Sequence, residues 1–156
     1  GISAAQGAAA ATGIPLTHRD HAAMLVFATG HLQGEEGERT VALDWAALAR
    51  PHQTVVIYMG VGTLPIICAQ LIAHGLPAST PAAMIERATL PGQRSIVGTL
   101  QTLPQLSVAY GVNPPALVMI GDTVALHARI GSSAEVLTGF PAVVDAASPQ
   151  ALACTA

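Results

Sequence analysis

The chain has 156 residues, of which 51% are hydrophobic and 10% charged, and its formal net charge is −3. This composition can bury one sizeable core and excludes a disordered protein, while six arginines without lysine and only five aromatic residues exclude a nucleic-acid-binding surface. The mean hydropathy is +0.52, but every apolar run is broken before the roughly 20 residues that a membrane span needs, so no membrane association is predicted.

An alanine-rich segment opens the chain. Ser3 is a favourable N-cap for a helix over Ala4–Ala11, and Gly13 ends it. A short helix and a loop are predicted next, then a strand over Met24–Ala28. The acidic run Gln33–Thr40 is predicted to be a solvated loop. Because the chain enters its first helix abruptly and without a Met, we expect that an upstream segment precedes it.

A strand and a helix follow as the clearest unit of the sequence. Asp44 is predicted to cap a short helix over Trp45–Ala49, and Thr54–Tyr58 is typical of a strand that is buried on both faces of a parallel sheet. Thr63 is predicted to cap the next helix, which ends at Gly75. The core-facing stripe of this helix consists of Leu64, Ile67, Cys68, Leu71 and Ile72.

Shorter elements fill the second half of the chain. Strands are predicted over Ala82–Ile85, Arg94–Thr99 and Ala116–Ile120, and a helix over Pro104–Tyr110. The alternation of helices and strands predicts an α/β fold. The final stretch, Gly131–Ala156, is weakly patterned, and no structure is predicted for it.

The two cysteines, Cys68 and Cys154, are far apart in the sequence and lack the C-x-x-C spacing. No signal peptide is visible, so the sequence predicts a reducing, cytoplasmic location. Cys68 lies on the apolar stripe and is predicted to pack in the core.

A glycine-rich turn, Gly60–Pro65, lies between a buried strand and a helix N-terminus, where free backbone N–H groups favour an anion. Glu86, after the next strand, could then bind the ribose of a dinucleotide. However, Pro65 replaces the third glycine that close helix packing requires. A plain strand-to-helix turn is therefore the favoured interpretation.

The segment Thr17–His21 places a hydroxyl, imidazoles, a guanidinium and a carboxylate within five residues. Arg19 suits a loop that binds a carboxylate-bearing ligand, although the loop could equally satisfy its own polar groups. His18 and His21 have a spacing open to metal binding, but no further ligand is nearby, so no metal is predicted. No residue pattern typical of acyl transfer or glycoside hydrolysis is present.

Two residues follow predicted strands at positions where open α/β sheets bind ligands. Met59 comes after Thr54–Tyr58, and a methionine there more often fills the core than contacts a ligand. Ala88 comes after the next strand, where a small residue either packs or lets a ligand approach the backbone.

Long ordered stretches of the sequence carry its most specific signal. They are Gly1–Ala5, Gly13–Asp20, Thr29–Leu32, Leu43–Trp45, Gln53–Gly60, Leu71–Gly75, Glu86–Thr89, Gln93–Arg94, Pro115–Val118 and Gly121–Leu126. In this order they closely resemble the uroporphyrinogen-III C-methyltransferases of the tetrapyrrole (corrin) methylase family. The resemblance covers nearly all of the chain before Gly131.

The resemblance implies a homodimer in which each subunit has two α/β domains, with S-adenosylmethionine in the cleft between them and the tetrapyrrole in an adjoining trough. Ser3 and Ala4 match the family's Thr/Ser-Ala cofactor contact, Met59 matches its Tyr-Met-Gly methionine, and Ala88 matches the residue beside the adenosine. Arg19, together with His18, is the candidate for binding the carboxylates of uroporphyrinogen III.

The chain then contains the last helix of the N-terminal α/β domain and the whole C-terminal α/β domain. The predicted divisions are 1–16 for the end of the N-terminal domain, 17–130 for the C-terminal domain, and 131–156 for a tail of unknown role. The family's acid–base residues lie in the front section that this chain lacks, so no catalytic residue is assigned. We expect little activity from this segment alone.

By resemblance, the reaction is two methyl transfers to C2 and C7 of uroporphyrinogen III, which yields precorrin-2 for siroheme and cobalamin synthesis and S-adenosylhomocysteine as by-product. One alternative is a methyltransferase that acts on a later corrin precursor. Another is a non-catalytic nucleotide-binding module that uses Gly60–Pro65.

Overall fold

A computed structural model of the chain describes residues 1–33, 40–130 and 135–139. Its helices are α1 (Ala4–Thr12), α2 (Trp45–Leu48), α3 (Leu64–Ala73), α4 (Leu103–Ala109) and α5 (His127–Ile130), with a 3₁₀ helix over Asp122–Leu126. Its strands are β1 (Met24–Thr29), β2 (Gln53–Tyr58), β3 (Pro81–Glu86), β4 (Arg94–Thr99), β5 (Ala116–Ile120) and β6 (Glu135–Thr138). In the described part of the chain, no helix is long and apolar enough to cross a membrane.

The strands of the described residues form one mixed sheet in the order β1-β2-β5-β3-β4-β6. β1 and β2 are parallel, as are β4 and β6, whereas β5 is antiparallel to both of its neighbours and β3 is antiparallel to β4. The carboxyl ends of β1, β2 and β3 therefore share one edge of the sheet with the start of β4 and β5. We call this edge the upper edge.

Helices cover both faces of the sheet, as expected for an α/β fold. One face packs against α2, α3 and α4 through a cluster that includes Leu48, Ile57, Ile67, Met84 and Leu106. The other face carries α1, and its buried cluster includes Ala5, Ala8, Val56, Ile85 and Met119. The first five residues of β2 are buried, which confirms its predicted two-sided burial although only one of its neighbours is parallel.

The start and end of α1 confirm the sequence prediction. Ser3 Oγ accepts a hydrogen bond from the N–H of Gln6, and Gln6 Oε1 accepts one from the N–H of Ser3, which together form a capping box. Gly13 ends the helix with a left-handed backbone, φ 72°, and its N–H donates to the carbonyl of Ala9. Glycine adopts this conformation at little steric cost.

Two local predictions are wrong. The short helix predicted before β1 is absent from residues 14–23, because His18 and Ala22 form an antiparallel bridge that commits this backbone to a tight turn. Residues 135–138, which lie in the segment predicted to lack structure, form β6 against β4. The acidic run of the predicted loop, residues 34–39, lies outside the described residues, while its flanks Gln33 and Thr40 pair with each other.

Cys68 confirms its predicted place in the core, where it is 2% exposed. Burial raises the pKa of its thiol to about 12, because the thiolate would lose its hydration. The group is therefore a neutral packing residue at physiological pH.

Candidate functional site

A cavity of about 560 Å³ opens at the upper edge, where β2 and β3 end and β5 begins. The lining residues are Ala4, His31, Tyr58, Met59, Val61, Gly62, Ile85, Arg87, Ala88, Leu90, Pro114, Pro115, Ala116 and Leu117. Most of them are apolar, and the volume is in the range of small-molecule sites. The carboxyl ends of strands are also where open α/β sheets bind ligands. We call this space the upper cavity.

The end of β2 forms one wall of the upper cavity. Met59 has a left-handed backbone, φ 53°, and its side chain is 63% exposed, so it does not fill the core. Such a conformation costs a non-glycine residue about 1–2 kcal/mol and is characteristic of ligand-binding positions. The hydroxyl of the preceding Tyr58 accepts a hydrogen bond from the N–H of Ala5 at 3.2 Å. The end of β2 is thereby tied to the first turn of α1.

The loop after β3 forms the opposite wall. Two of its residues, Arg87 and Thr89, have left-handed backbones with φ values of 51° and 67°. The N–H of Arg87 donates to the carbonyl of Pro115 at 2.9 Å. The N–H of Thr89 donates to Gln93 Oε1 at 2.6 Å, and Gln93 Nε2 donates to the carbonyl of Ala11 at 3.5 Å. These bonds hold the strained loop against β5 and α1.

Two glycines allow the chain to cross closely beside the cavity. A Cβ added to Gly30 would lie 2.9 Å from Gly60 Cα and 2.9 Å from Ile67 Cδ1. The N–H of Gly30 donates to the carbonyl of Tyr58 at 2.7 Å. Thr63 Oγ1 donates to the carbonyl of Gly30 at 2.7 Å. Thr63 holds the predicted N-cap position of α3, but its hydroxyl is engaged by the carbonyl of Gly30 and makes no capping hydrogen bond.

The structure brings together three of the four predicted cofactor residues. Ala4, Met59 and Ala88 come from three separate elements and line the upper cavity. Ser3 adjoins Ala4, and its hydroxyl accepts the capping bond from Gln6. Their role toward a cofactor stays a prediction, with the geometry now defined.

The predicted substrate residues lie elsewhere. Their loop is attached to the lower edge of the sheet, because the N–H of Ala23 donates to the carbonyl of His52, which precedes β2. The six residues of β2 separate this point from the upper cavity by about 20 Å. His18 Nδ1 accepts a hydrogen bond from the N–H of Asp20 at 3.2 Å, and Arg19 is exposed. The structure therefore does not place His18 and Arg19 with the cofactor residues.

The same loop contains the histidine pair whose spacing is open to metal binding. The ring centroids of His18 and His21 lie 4.8 Å apart. Within residues 1–33, 40–130 and 135–139, no group of three or more His, Cys, Asp or Glu side chains is placed to hold a metal ion. Protein metal sites use three or four such ligands, so the pair gives no support for a metal.

In the structure, Glu86 is not available as the ribose-binding acid of a dinucleotide site. Glu86 is 7% exposed and does not line the upper cavity. Its Oε2 accepts hydrogen bonds from Nε and Nη2 of Arg94, the former at 3.1 Å, and Nη1 of Arg94 donates to the carbonyl of Tyr110. Glu86 is thus engaged in a structural ion pair. The turn Gly60–Pro65 contributes Val61 and Gly62 to the cavity wall.

Sequence reasoning missed the electrostatic character of the upper cavity. Among the lining residues that the structure describes, Arg87 carries the only formal positive charge, His31 is the only histidine, and no Asp or Glu is present. The cavity wall therefore favours a ligand that is apolar in part and anionic at one end. In the sequence, Arg87 stands next to Ala88, a predicted cofactor residue, and this was the one available sign of a charge near the site. The sequence does not show that Arg87 and Ala88 line the same cavity.

Comparison with known proteins gives a consistent family. The sequence pattern of the tetrapyrrole (corrin/porphyrin) methylases matches residues 1–104. A siroheme synthase of Nitrosomonas europaea is 52% identical over 130 residues, which cover 83% of this chain and 26% of that protein. The chain thus spans about a quarter of the length of the curated relatives it matches.

Solved structures agree. A uroporphyrin-III C-methyl transferase of Thermus thermophilus complexed with S-adenyl homocysteine has a TM-score of 0.61 and 33% identity, over 74% of this chain and 47% of that one. A cobalt precorrin-4 methyltransferase has a TM-score of 0.67 over 80% of this chain and 51% of that one, and at 21% identity it supports the fold alone. The predicted family and α/β fold are confirmed, and the chain belongs to the tetrapyrrole (corrin/porphyrin) methylase family of methyltransferases.

Proposed function

We propose that this chain forms part of an S-adenosylmethionine-dependent uroporphyrinogen-III C-methyltransferase. The reaction is two successive methyl transfers, to C2 and C7, and the product precorrin-2 serves siroheme and cobalamin synthesis. The observation that carries the proposal is the upper cavity, where Ala4, Met59 and Ala88 from separate elements line one space. The likeness to a uroporphyrin-III C-methyl transferase bound to S-adenyl homocysteine supports the same conclusion.

The lining residues suit the methyl donor, whose adenosine and thioether portions are largely apolar. Ala88 and Gly62 have little or no side chain, so a flat ring can approach the backbone there. The flexible, polarisable thioether of Met59 can pack against it. Ser3, Ala4, Met59 and Ala88 are the residues we assign to the donor site. Its product after transfer is S-adenosylhomocysteine.

The bound donor supplies an electrophilic sulfonium methyl group, which an electron-rich pyrrole carbon can attack. The task of the protein is to orient the two reactants and to exclude water, and alignment of reactants is worth many orders of magnitude in rate. Hydrogen bonds of 2.7–3.2 Å around the cavity hold the backbone near Met59 and Arg87 in place. A backbone fixed in this way keeps the cavity wall in one position, which favours alignment of the reactants. No catalytic acid or base is assigned among these residues.

The chain spans about half of the solved methyltransferases that it matches. We propose that residues 17–130 are the C-terminal domain of a two-domain subunit, that residues 1–16 end the preceding domain, and that 131–156 form a tail. A homodimer in the cytoplasm and little activity for this segment alone belong to the same proposal. His18 and Arg19 remain candidates for substrate binding on a surface other than the upper cavity.

Two other functions stay open to test. A methyltransferase acting on a later corrin precursor would keep the donor site and differ in product, so product analysis separates it. A non-catalytic nucleotide-binding module using Gly60–Pro65 would bind NAD in preference to S-adenosylhomocysteine. The ion pair of Glu86 with Arg94 disfavours this second alternative, because the acidic residue is unavailable to a ribose.

The test is calorimetric titration of S-adenosylhomocysteine into the full-length protein and two variants. Met59→Ala removes the side chain at the cavity wall. Met24→Ala is the matched control, since Met24 is also half-exposed, at 48%, but lies at the start of β1 on the lower edge. Assays with uroporphyrinogen III then follow the methylated product.

We expect Met59→Ala to weaken binding up to about tenfold and Met24→Ala to leave it unchanged, because a contact between a thioether and an aromatic ring contributes up to about 1.5 kcal/mol. Precorrin-2 as the product would support the full proposal. Absence of binding by the unmodified full-length protein would overturn the methyltransferase proposal. Equal loss in both methionine variants would overturn the assignment of Met59 to the donor site.

A further inference from the structure

The charge of the upper cavity is one-sided. Among the described residues that line it, Arg87 carries the one formal charge, and His31 is the one histidine. An apolar enclosure lowers the local dielectric, so a single cation within it attracts an anion more strongly than a surface arginine does in water. The cavity wall therefore favours a ligand with at least one negatively charged group.

The guanidinium of Arg87 is available for such a group. In the described ranges it makes no ion pair, and the neighbouring carboxylate of Glu86 is engaged by Arg94. The ideal Cβ position of Gly92 lies 3.6 Å from Arg87 Nη1, which is an ordinary contact distance, so the guanidinium lies beside the loop backbone. The strained backbone of Arg87, φ 51°, is held by its N–H bond to Pro115.

We propose that Arg87 anchors a carboxylate of the bound ligand in the upper cavity. The guanidinium offers a planar fork of donors that fits both oxygens of a carboxylate, and an ammonium cannot reproduce this geometry. The proposal rests on the proposed function, because it assigns a ligand group to the same cavity. It also adds to Arg19 a second candidate for carboxylate binding, one that lines the cavity.

Two ligands of the proposed reaction carry carboxylates. The amino-acid end of the methyl donor has one, and the tetrapyrrole has eight around its rim. Arg87 can meet either, since the ring carbon that accepts the methyl group must lie beside the bound donor. The experiment therefore measures the two ligands separately.

The full-length protein is titrated with S-adenosylhomocysteine, with 5′-methylthioadenosine, which keeps the nucleoside and thioether but lacks the carboxylate, and with uroporphyrin III. The variants are Arg87→Asn and Arg87→Lys. Asparagine tolerates a left-handed backbone, so Arg87→Asn removes the charge without adding strain. The control is Arg50→Asn, because Arg50 lines a separate cavity of about 170 Å³ at the lower edge.

We expect Arg87→Asn to weaken one carboxylate ligand about 10- to 100-fold, as for a charged hydrogen-bonded contact, and to leave 5′-methylthioadenosine unchanged. Loss confined to S-adenosylhomocysteine identifies the donor carboxylate, and loss confined to uroporphyrin III identifies the macrocycle. Arg87→Lys should recover part of the affinity, and Arg50→Asn should bind as the unmodified protein does.

Binding of both carboxylate ligands by Arg87→Asn at the unmodified affinity would overturn the inference while leaving the proposed function intact. Failure of the unmodified protein to bind S-adenosylhomocysteine would overturn the proposed function itself. If Arg87→Asn does not fold, Arg87→Lys decides the question. Unchanged affinities in that variant for both carboxylate ligands would refute the planar fork as the anchor.

Discussion

Replacement of Gly30 by alanine tests whether the close crossing beside the upper cavity positions its wall. The added methyl group would lie 2.9 Å from Gly60 Cα and 2.9 Å from Ile67 Cδ1, whereas ordinary contacts begin at 3.4 Å. The side chain of Ile67 can adopt another rotamer to avoid the methyl group. The Cα of Gly60 belongs to the backbone directly after Met59 and can move only if that backbone moves. Relief therefore requires a backbone shift of about half an ångström.

Overpacking of this kind costs about 1–3 kcal/mol, and a clash with backbone places Gly30→Ala in the upper half of that range. For a chain of 156 residues, we expect a fall in melting temperature of about 4–10 °C. Because the shift displaces the end of β2, affinity for S-adenosylhomocysteine should fall as well. Urea unfolding followed by the fluorescence of Trp45, the chain's single tryptophan, measures the free energy of unfolding.

Gly62→Ala is the matched control, because a Cβ at Gly62 would meet nothing within 4 Å. Its free energy of unfolding should stay within about 0.5 kcal/mol of the unmodified protein. Equal stability of Gly30→Ala and the unmodified protein would refute the reasoning. A loss of the same size in Gly62→Ala would show that the cost is a general one of glycine replacement in this region.

Three further changes test the packing around the site. Thr63→Val should lower the free energy of unfolding by about 1–2 kcal/mol in urea titrations, because it leaves the carbonyl of Gly30 without its donor, and Thr63→Ser should retain most of it. Glu86→Gln should destabilise by about 2 kcal/mol, since Arg94 stays partly buried without its counter-charge, and the double variant Glu86→Gln with Arg94→Met should recover part of the loss. The pKa of Cys68 is about 12 in the folded chain and 9.0 when unperturbed, so between these values only the unfolded state releases the proton. Stability should then fall with rising pH by up to about 1.4 kcal/mol per unit, and Cys68→Ala should remove this component in parallel titrations.

Much of the fold was predictable because local patterns determine it. The cap at Ser3, the apolar stripe of α3 and the continuous run of β2 each follow from short-range spacing, and all three elements form close to their predicted ends. The sheet order was less accessible. The antiparallel position of β5 between β2 and β3, and the pairing of β6 with β4, depend on contacts between residues distant in sequence.

The candidate site divides in the same way. Met59 and Ala88 stood out because each follows a predicted strand, but that position left core packing open, and the resemblance alone made them cofactor candidates together with Ser3 and Ala4. The separation of Arg19 from the cavity depends on a backbone bond between Ala23 and His52, which no local pattern reveals. The hydroxyl of Thr63 shows the same limit. A threonine that caps its own helix and one that donates to a distant carbonyl look alike in sequence, and only the tertiary position of the Gly30 carbonyl separates them.

The way α1 covers the sheet also limits how the protein can be divided. Ala5, Ala8 and Ile14 are fully buried in one cluster with residues of β2, β3 and β5. A chain that began at residue 17, the predicted domain boundary, would leave apolar side chains such as Val56 and Met119 open to water, and exposed patches of this kind promote aggregation. In physical terms the first helix belongs to the packing of this sheet. A recombined gene that joined this sheet to a different upstream segment would have to encode another helix of small residues to replace α1.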